Sequence, residues 1–341
     1  MDDLDPATGM CAGEYWPFPI KHGVVAFEGL ELGRSINSNK RKRECMEKRL
    51  APTIGVVVLT MGNRPVELRR ALDSLLSQSD VTIDAVVVGN GWDPTDIPAG
   101  IKTHFLPENL GIPAGRNAGV GQVEGEYLCF LDDDSWFLDD DFLIAAVQRF
   151  KKYPRMGLLQ PRITDPEHSD QDPTRWIPRL KKRTAEEPSR VFHVGETCLV
   201  TTRVLFDLTG GWAGGFWYAH EGIELAWRIW DTGTYVWYAG DMRIAHPVVD
   251  PRRHEEFYRL NARNRVWLAR RNLPAPFSFI YPTTWMLIEC LRMRDKPNAV
   301  EQYLAGWKAG WKGSPWYKEP RAKLRWITLL RMTLSGRPPI I

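Results

Sequence analysis

From Thr53 onward, two kinds of hydrophobic pattern take turns along the chain: short unbroken apolar runs, and stretches in which apolar residues recur every three or four positions. Thr53 to Thr60 is a β-branched run and reads as a strand buried on both faces. Gly62-Asn63-Arg64-Pro65 then turns the chain into a helix carrying Leu68, Ala71, Leu72, Leu75 and Leu76 at helical spacing, with Pro65 in its first turn. Ile83 to Val88, His104 to Leu106 and Tyr127 to Leu131 read as the second, third and fourth strands. Strands alternating with helices imply right-handed crossovers, a mostly parallel sheet flanked by helices, and binding sites at the strand C-terminal ends. Those ends carry Thr60, Gly89-Asn90, Pro107-Glu108-Asn109 and Asp132-Asp133-Asp134.

The pattern changes beyond the fourth strand. Asp139-Asp140-Asp141 suits the N-terminal charge of a following helix. From about Gln160 to Arg190 Pro, Asp, Arg and Lys dominate, which reads as a long surface excursion. A second structured half begins at Phe192 and holds Gly210-Gly211-Trp212, a helix from about Glu221 to Trp230, a short strand Tyr235 to Tyr238, and His246-Pro247. Residues 1–50 are polar, show no sustained period and contain Lys40-Arg41-Lys42-Arg43, so they read as an extension with a solvated basic linker; Met46 offers an alternative start.

Composition narrows the classes. With 341 residues and 43% apolar content the chain can bury a sizeable core. A net charge of +3 gives no support to nucleic-acid binding. Five cysteines, scattered and without a C-x-x-C pair, point to a reducing, cytoplasmic compartment rather than to a disulfide framework or a zinc site. No apolar run reaches the roughly 18–20 residues of a membrane-spanning helix, and the start has no signal-peptide pattern. The C-terminal part interleaves Trp307, Trp311, Trp316 and Trp326 with lysines and arginines, a mixture suited to peripheral contact with an anionic membrane; packing onto the rest of the protein is the competing reading.

The three aspartates after an apolar strand put hard oxygen ligands at a sheet rim, where a divalent cation and a phosphate can both reach them. Side chains alternate along extended backbone, so Asp132 and Asp134 can face one site while Asp133 points elsewhere.

Several motifs occur in one order: Thr60-x-x-Asn63-Arg64-Pro65, Asn109-x-Gly111 with Arg116-Asn117-x-Gly119, Leu131-Asp132-Asp133-Asp134, Gly210-Gly211-Trp212, and His220-Glu221-x-x-Glu224-Leu225-x-x-Arg228 followed by Ala245-His246. In this the chain resembles family 2 glycosyltransferases of the GT-A type α/β fold. The resemblance implies an N-terminal extension (1–50), a catalytic domain (51–272) with a nucleotide-binding half (51–135) and an acceptor half (190–272), and a helical Trp/basic C-terminal region (273–341). It implies an inverting transfer of a sugar from a UDP- or dTDP-linked donor to a hydroxyl of a glycan or lipid-linked acceptor. Asp132, Asp134 and His246 are the expected ligands of Mn²⁺ or Mg²⁺, the imidazole favouring Mn²⁺. Thr60, Arg64, Asn90, Arg116, Asn117, Asp132 and Asp133 are expected around the nucleotide and diphosphate, with Asn90 standing where the family commonly has an Asp. Trp212, Trp217 and Tyr218 are candidate sugar-stacking rings, with core packing the equal alternative. Matched by position, Glu221 takes the general-base place. Glu224 and His220 are further candidates, and the Glu224–Arg228 spacing also suits a helix salt bridge. A nucleotidyltransferase and a catalytically silent binding or membrane scaffold are the rival readings.

Overall fold

The computed structural model describes residues 51–167, 173, 176–178, 184–248, 256–313 and 323–334. The N-terminal extension, the basic run and Trp316 lie outside them. Thr53–Thr60 forms β1, whose side chains are buried on both faces as its β-branched composition requires. Beside it lie β2 (Thr82–Asn90) and β4 (Tyr127–Asp132), both parallel to it, and β3 (Lys102–Leu106) adds in parallel to β2. The crossovers are α1 (Pro65–Leu76), which turns Leu68, Ala71, Leu72 and Leu75 into the core, and α2 (Ile112–Val120). Helix α2 sits hard against the sheet, since a Cβ on Gly119 would fall 2.5 Å from Val57 Cγ1.

Past β4 the sheet becomes mixed. A two-residue strand β5 (Trp136–Phe137) and α3 (Phe142–Lys152) precede β6 (Met156–Thr164), β7 (Ser189–Val191) and β8 (Cys198–Thr202). Strand β6 therefore occupies the first residues of the expected excursion. Pro161 is accommodated there because the pairing of β6 shifts register between Pro161 and Arg162, the one kind of place where a strand tolerates a missing N–H. Chain order in the sheet is β3-β2-β1-β4-β8-β6, then β9 (Tyr235–Ala245) and β5, with β7 also paired to β9. The expected short strand at Tyr235 thus runs on to Ala245. Strand β8 is antiparallel to β4 and to β6. It enters at the C-terminal end of β4, pairs Leu131 with Cys198, and runs back.

Helices α4 (Arg203–Thr209) and α5 (Glu221–Asp231) follow β8, separated by a single 3-10 turn at Gly214–Phe216. Four further helices follow among the described residues: α6 (Phe257–Asn272), α7 (Phe277–Arg292), α8 (Pro297–Lys312) and α9 (Trp326–Leu334). The end of α8 is tied to α6 by Arg270, whose Nη1 donates to Trp311 O at 3.1 Å and Gly313 O at 2.6 Å. The start of α9 is tied to the end of α5, with Thr328 Oγ1 donating to Asp231 Oδ1 at 2.6 Å. Phe279, Leu287 and Leu291 on α7 and Trp326, Leu330 and Leu334 on α9 remain exposed. Among the described residues no helix is long and apolar enough to cross a membrane.

Candidate active site

Three strand ends converge at the C-terminal edge of the parallel half. Pairing of β1 with β4 sets Leu59 opposite Asp132, so Thr60 lies beside the aspartates. Pairing of β5 with β9 sets Trp136 opposite Ala245, so Asp134 and His246 arrive together from segments more than 100 residues apart in the chain. His246 Nε2 lies 3.2 Å from Asp134 Oδ1. One ligand atom each from Asp132, Asp134 and His246 fall within 4.8 Å of one another. Two carboxylate oxygens and one imidazole nitrogen form a donor set that fits Mn²⁺ well and Mg²⁺ less closely. Trp176 walls the histidine edge-on, its ring centroid 4.5 Å away.

Asp133 does not point away from this edge. Thr60 Oγ1 donates to its Oδ2 at 2.6 Å, Arg64 Nη1 lies 3.3 Å from its Oδ1, and burial raises its pKa against both of these contacts. Arg64 also pairs with Asp134 and stays about one-third exposed, so its guanidinium caps the acidic edge from the solvent side.

Several residues expected at the nucleotide are engaged elsewhere. Asn90 is buried, its Nδ2 donating to Asn109 Oδ1 and its Oδ1 accepting from Leu110 N, both at 2.8 Å. With donor and acceptor both engaged by the loop before α2, it holds that loop rather than offering an edge to a base. Asn117 likewise brackets the Trp212 backbone, donating to Trp212 O at 2.8 Å and accepting from Trp212 N at 2.9 Å. Arg116 is buried under the Trp212 ring, 5.0 Å from its centroid, and donates from Nη2 to Asp132 Oδ1 at 2.6 Å and to Glu196 O at 2.9 Å. It organises the carboxylates from behind. Trp212 itself is 2% exposed and packs edge-on against Phe130 at 5.1 Å, which makes it core and removes it from sugar stacking. Trp217 and Tyr218 are half-buried, and Trp217 O receives the N–H of Ile112 at the start of α2 at 2.8 Å.

The acids of α5 split by one turn. Glu224 is fully buried, and its oxygens take Arg228 Nε at 2.8 Å, Arg271 Nε at 2.8 Å and Asn272 Nδ2 at 3.1 Å. The two guanidiniums outweigh burial and lower its pKa. A carboxylate so engaged clamps α5 to α6 and is unsuited to proton transfer. His220, at φ 70°, is also a poor base, since burial and the nearby Arg265 lower its pKa to about 3. Glu221 faces a residue that the sequence reading passed over, Glu196. Burial and the Glu221 charge push the Glu196 carboxyl well above the usual range, and burial raises Glu221 as well. Glu196 Oε1 accepts from Gly222 N at 2.6 Å, and its Oε2 lies 3.9 Å from Arg116 Nη1. A lone acid before a strand carries no period or spacing; the available signal is Gly222, a glycine in the first turn of a helix, which marks a close approach.

Residues 56–209 match the family model described as glycosyl transferase family 2. Glycosyltransferase GlyA of Streptococcus pneumoniae is 30% identical over 107 residues, 28% of this chain and 15% of that protein. Putative glycosyltransferase EpsH of Bacillus subtilis is 29% identical over 97 residues, 26% of this chain and 28% of its own. The chain thus spans well under two thirds of these relatives. Among solved structures, GalNAc-T7 with UDP, GalNAc and Mn²⁺ has a TM-score of 0.53 at 13% identity, covering 77% of this chain and 56% of that one. The mannosyltransferase PcManGT of Pyrobaculum calidifontis with GDP-Man and Mn²⁺ has a TM-score of 0.50 at 16% identity, covering 82% and 85%. At these identities the likeness is one of fold: an α/β GT-A sheet flanked by helices.

Proposed function

We propose that this chain, whose residues 56–209 match the glycosyl transferase family 2 model, is a glycosyltransferase that moves a sugar from a nucleoside-diphosphate sugar to an acceptor hydroxyl by a single inverting displacement. The meeting of Asp132, Asp134 and His246 beside the Glu196–Glu221 carboxyl pair carries this reading. Asp132, Asp134 and His246 would hold Mn²⁺ or Mg²⁺. Bound there, the cation supplies Lewis-acid stabilisation to a departing diphosphate.

The chain's own residues do the rest. Arg64, about one-third exposed above Asp133 and Asp134, swings onto the diphosphate and adds a charge-assisted contact. Thr60 fixes Asp133 through its hydroxyl, and Arg116 fixes Asp132. The acceptor hydroxyl gives its proton to the carboxyl pair to which Glu221 belongs, at the start of α5, where unsatisfied N–H groups favour a negative charge. Trp217 and Tyr218 line the acceptor side. A uridine or thymidine diphosphate sugar is the donor class and a glycan or lipid-linked hydroxyl the acceptor class. The exposed apolar side chains of α7 and α9 support peripheral contact with an anionic membrane.

A panel of nucleotide sugars, each incubated with and without Mn²⁺, tests the reading. Free nucleoside diphosphate should be released only with a cation, and Asp134→Ala should lose that release. Pyrophosphate as product would instead indicate nucleotidyl transfer, and nucleotide binding without turnover would indicate a silent binding module.

A further inference from the structure

Resting on the transferase reading above, we propose that Glu196 is the catalytic residue that takes the acceptor's proton, with Glu221 behind it as a positioning partner and Gly222 as the gap that admits it. Access separates the two acids first. Glu221 is 1% exposed, and its Oε2 is buried with no hydrogen bond among the described residues, so an acceptor hydroxyl has no path to it. The Glu196 side chain is 21% exposed.

Shape is the second argument. An added Cβ on Gly222 would fall 2.4 Å from Glu196 Cγ, 2.5 Å from Oε1 and 2.8 Å from Cδ. Glycine is a poor helix former, and here its missing side chain is replaced in space by the end of Glu196. The carboxylate stands where a short acidic side chain at position 222 would itself reach. Its Oε1 is seated on the Gly222 N–H at the start of α5, which leaves Oε2 as the oxygen that can turn to an acceptor.

Location is the third. Thr197 O accepts from Asp132 N at 2.9 Å, and Arg116 bridges Asp132 to the Glu196 carbonyl. Glu196 is thereby locked one guanidinium away from a residue of the candidate metal set. The other candidates at the start of α5 are excluded: Glu224 is clamped by Arg228 and Arg271, and His220 is held neutral. In the step, the acceptor O–H bond breaks and its proton passes to Glu196 Oε2. The acceptor oxygen forms its bond to the anomeric carbon as the bond from that carbon to the diphosphate oxygen breaks, the electron pair leaving with the diphosphate.

The test compares wild type, Glu196→Gln, Glu196→Ala, Gly222→Asp and the double variant Glu196→Ala/Gly222→Asp, with donor turnover and Mn²⁺-dependent binding of nucleoside diphosphate measured on each. Glu196→Gln should lower kcat by on the order of 10²–10⁴-fold while KM for the donor and nucleotide binding hold. Gly222→Asp alone should be impaired by its clash with Glu196. The double variant should regain at least about tenfold over Glu196→Ala, because an aspartate then fills the vacated space with a carboxylate. An active wild type with Glu196→Gln within a few-fold of it, or a double variant that binds nucleotide yet turns over no faster than Glu196→Ala, overturns the assignment while leaving the transferase reading intact. A wild type that releases no nucleoside diphosphate from any donor overturns both.

Discussion

Glu221 and Glu224 stand one turn apart on α5, both buried, and their surroundings are opposite. Glu224 sits between two arginines and an asparagine amide, and its pKa is lowered. Glu221 faces a second carboxyl, Glu196, with Arg116 the nearby cation for both, and both pKa values are raised. A buried charge that is fully compensated is a structural joint, here between α5 and α6. One that is under-compensated keeps its proton to higher pH than a free carboxyl does, and perturbed acids of that kind are the ones suited to acid–base chemistry. The helix thus carries a clamped acid and an under-compensated one on neighbouring turns, and compensation tells them apart.

The largest effect that can break this contrast is on stability. Glu224→Ala leaves Arg228 and Arg271 buried without their partner, and should cost about 3–5 kcal/mol in denaturant unfolding. A loss under about 1 kcal/mol would show the joint to be ornamental. Glu221→Gln should do the reverse. Its unfolding midpoint should hold or rise, while turnover with an active donor falls by on the order of 10².

The pH dependence separates the two sites by sign. Glu224 has a folded pKa below its ordinary 4.5, so its stabilisation is complete above that value and is lost as pH falls through the folded pKa. Glu196 and Glu221 have folded pKa values above 4.5, so they favour the folded state when protonated, and that contribution is lost as pH rises through the raised values. Unfolding midpoints measured across pH should therefore lose their acid-side slope in Glu224→Gln and improve toward neutral pH in Glu196→Gln. A smaller effect tests a neutral clamp next to the pair. Asn117→Ala strands both backbone groups of Trp212 and should cost about 1–2 kcal/mol without altering the pH profile.

Much of this was legible before any coordinates. The β-branched runs and helical spacing marked β1, α1, β2 and β4, and the aspartates at the end of β4 with His246 marked the candidate metal set. Motifs of that kind are local: each is a run or a short spacing. What escaped was set by tertiary pairing. Strand β5 has two residues and β7 three, too few for a period. Asn90, Asn117 and Arg116 were expected at the nucleotide from their motif positions, and tertiary contacts engage them instead: the loop before α2, the Trp212 backbone, and Asp132 with the Glu196 carbonyl. Trp212 was a candidate sugar-stacking ring because it precedes the acids of α5, with core packing the open alternative, and its burial against Phe130 is a tertiary fact. Glu196 had no pattern of its own; its role exists only because β8 runs antiparallel to β4 and delivers it to Asp132 and to Gly222.

Calorimetric titration of a nucleoside diphosphate into wild type and Asp134→Ala, each with and without Mn²⁺, tests most directly the claim that the strand-end aspartates and His246 hold a cation-bound diphosphate. Binding by wild type only when the cation is present, lost in a folded Asp134→Ala, is the predicted result. Equal affinity with and without the cation, or binding untouched by the substitution, would contradict it.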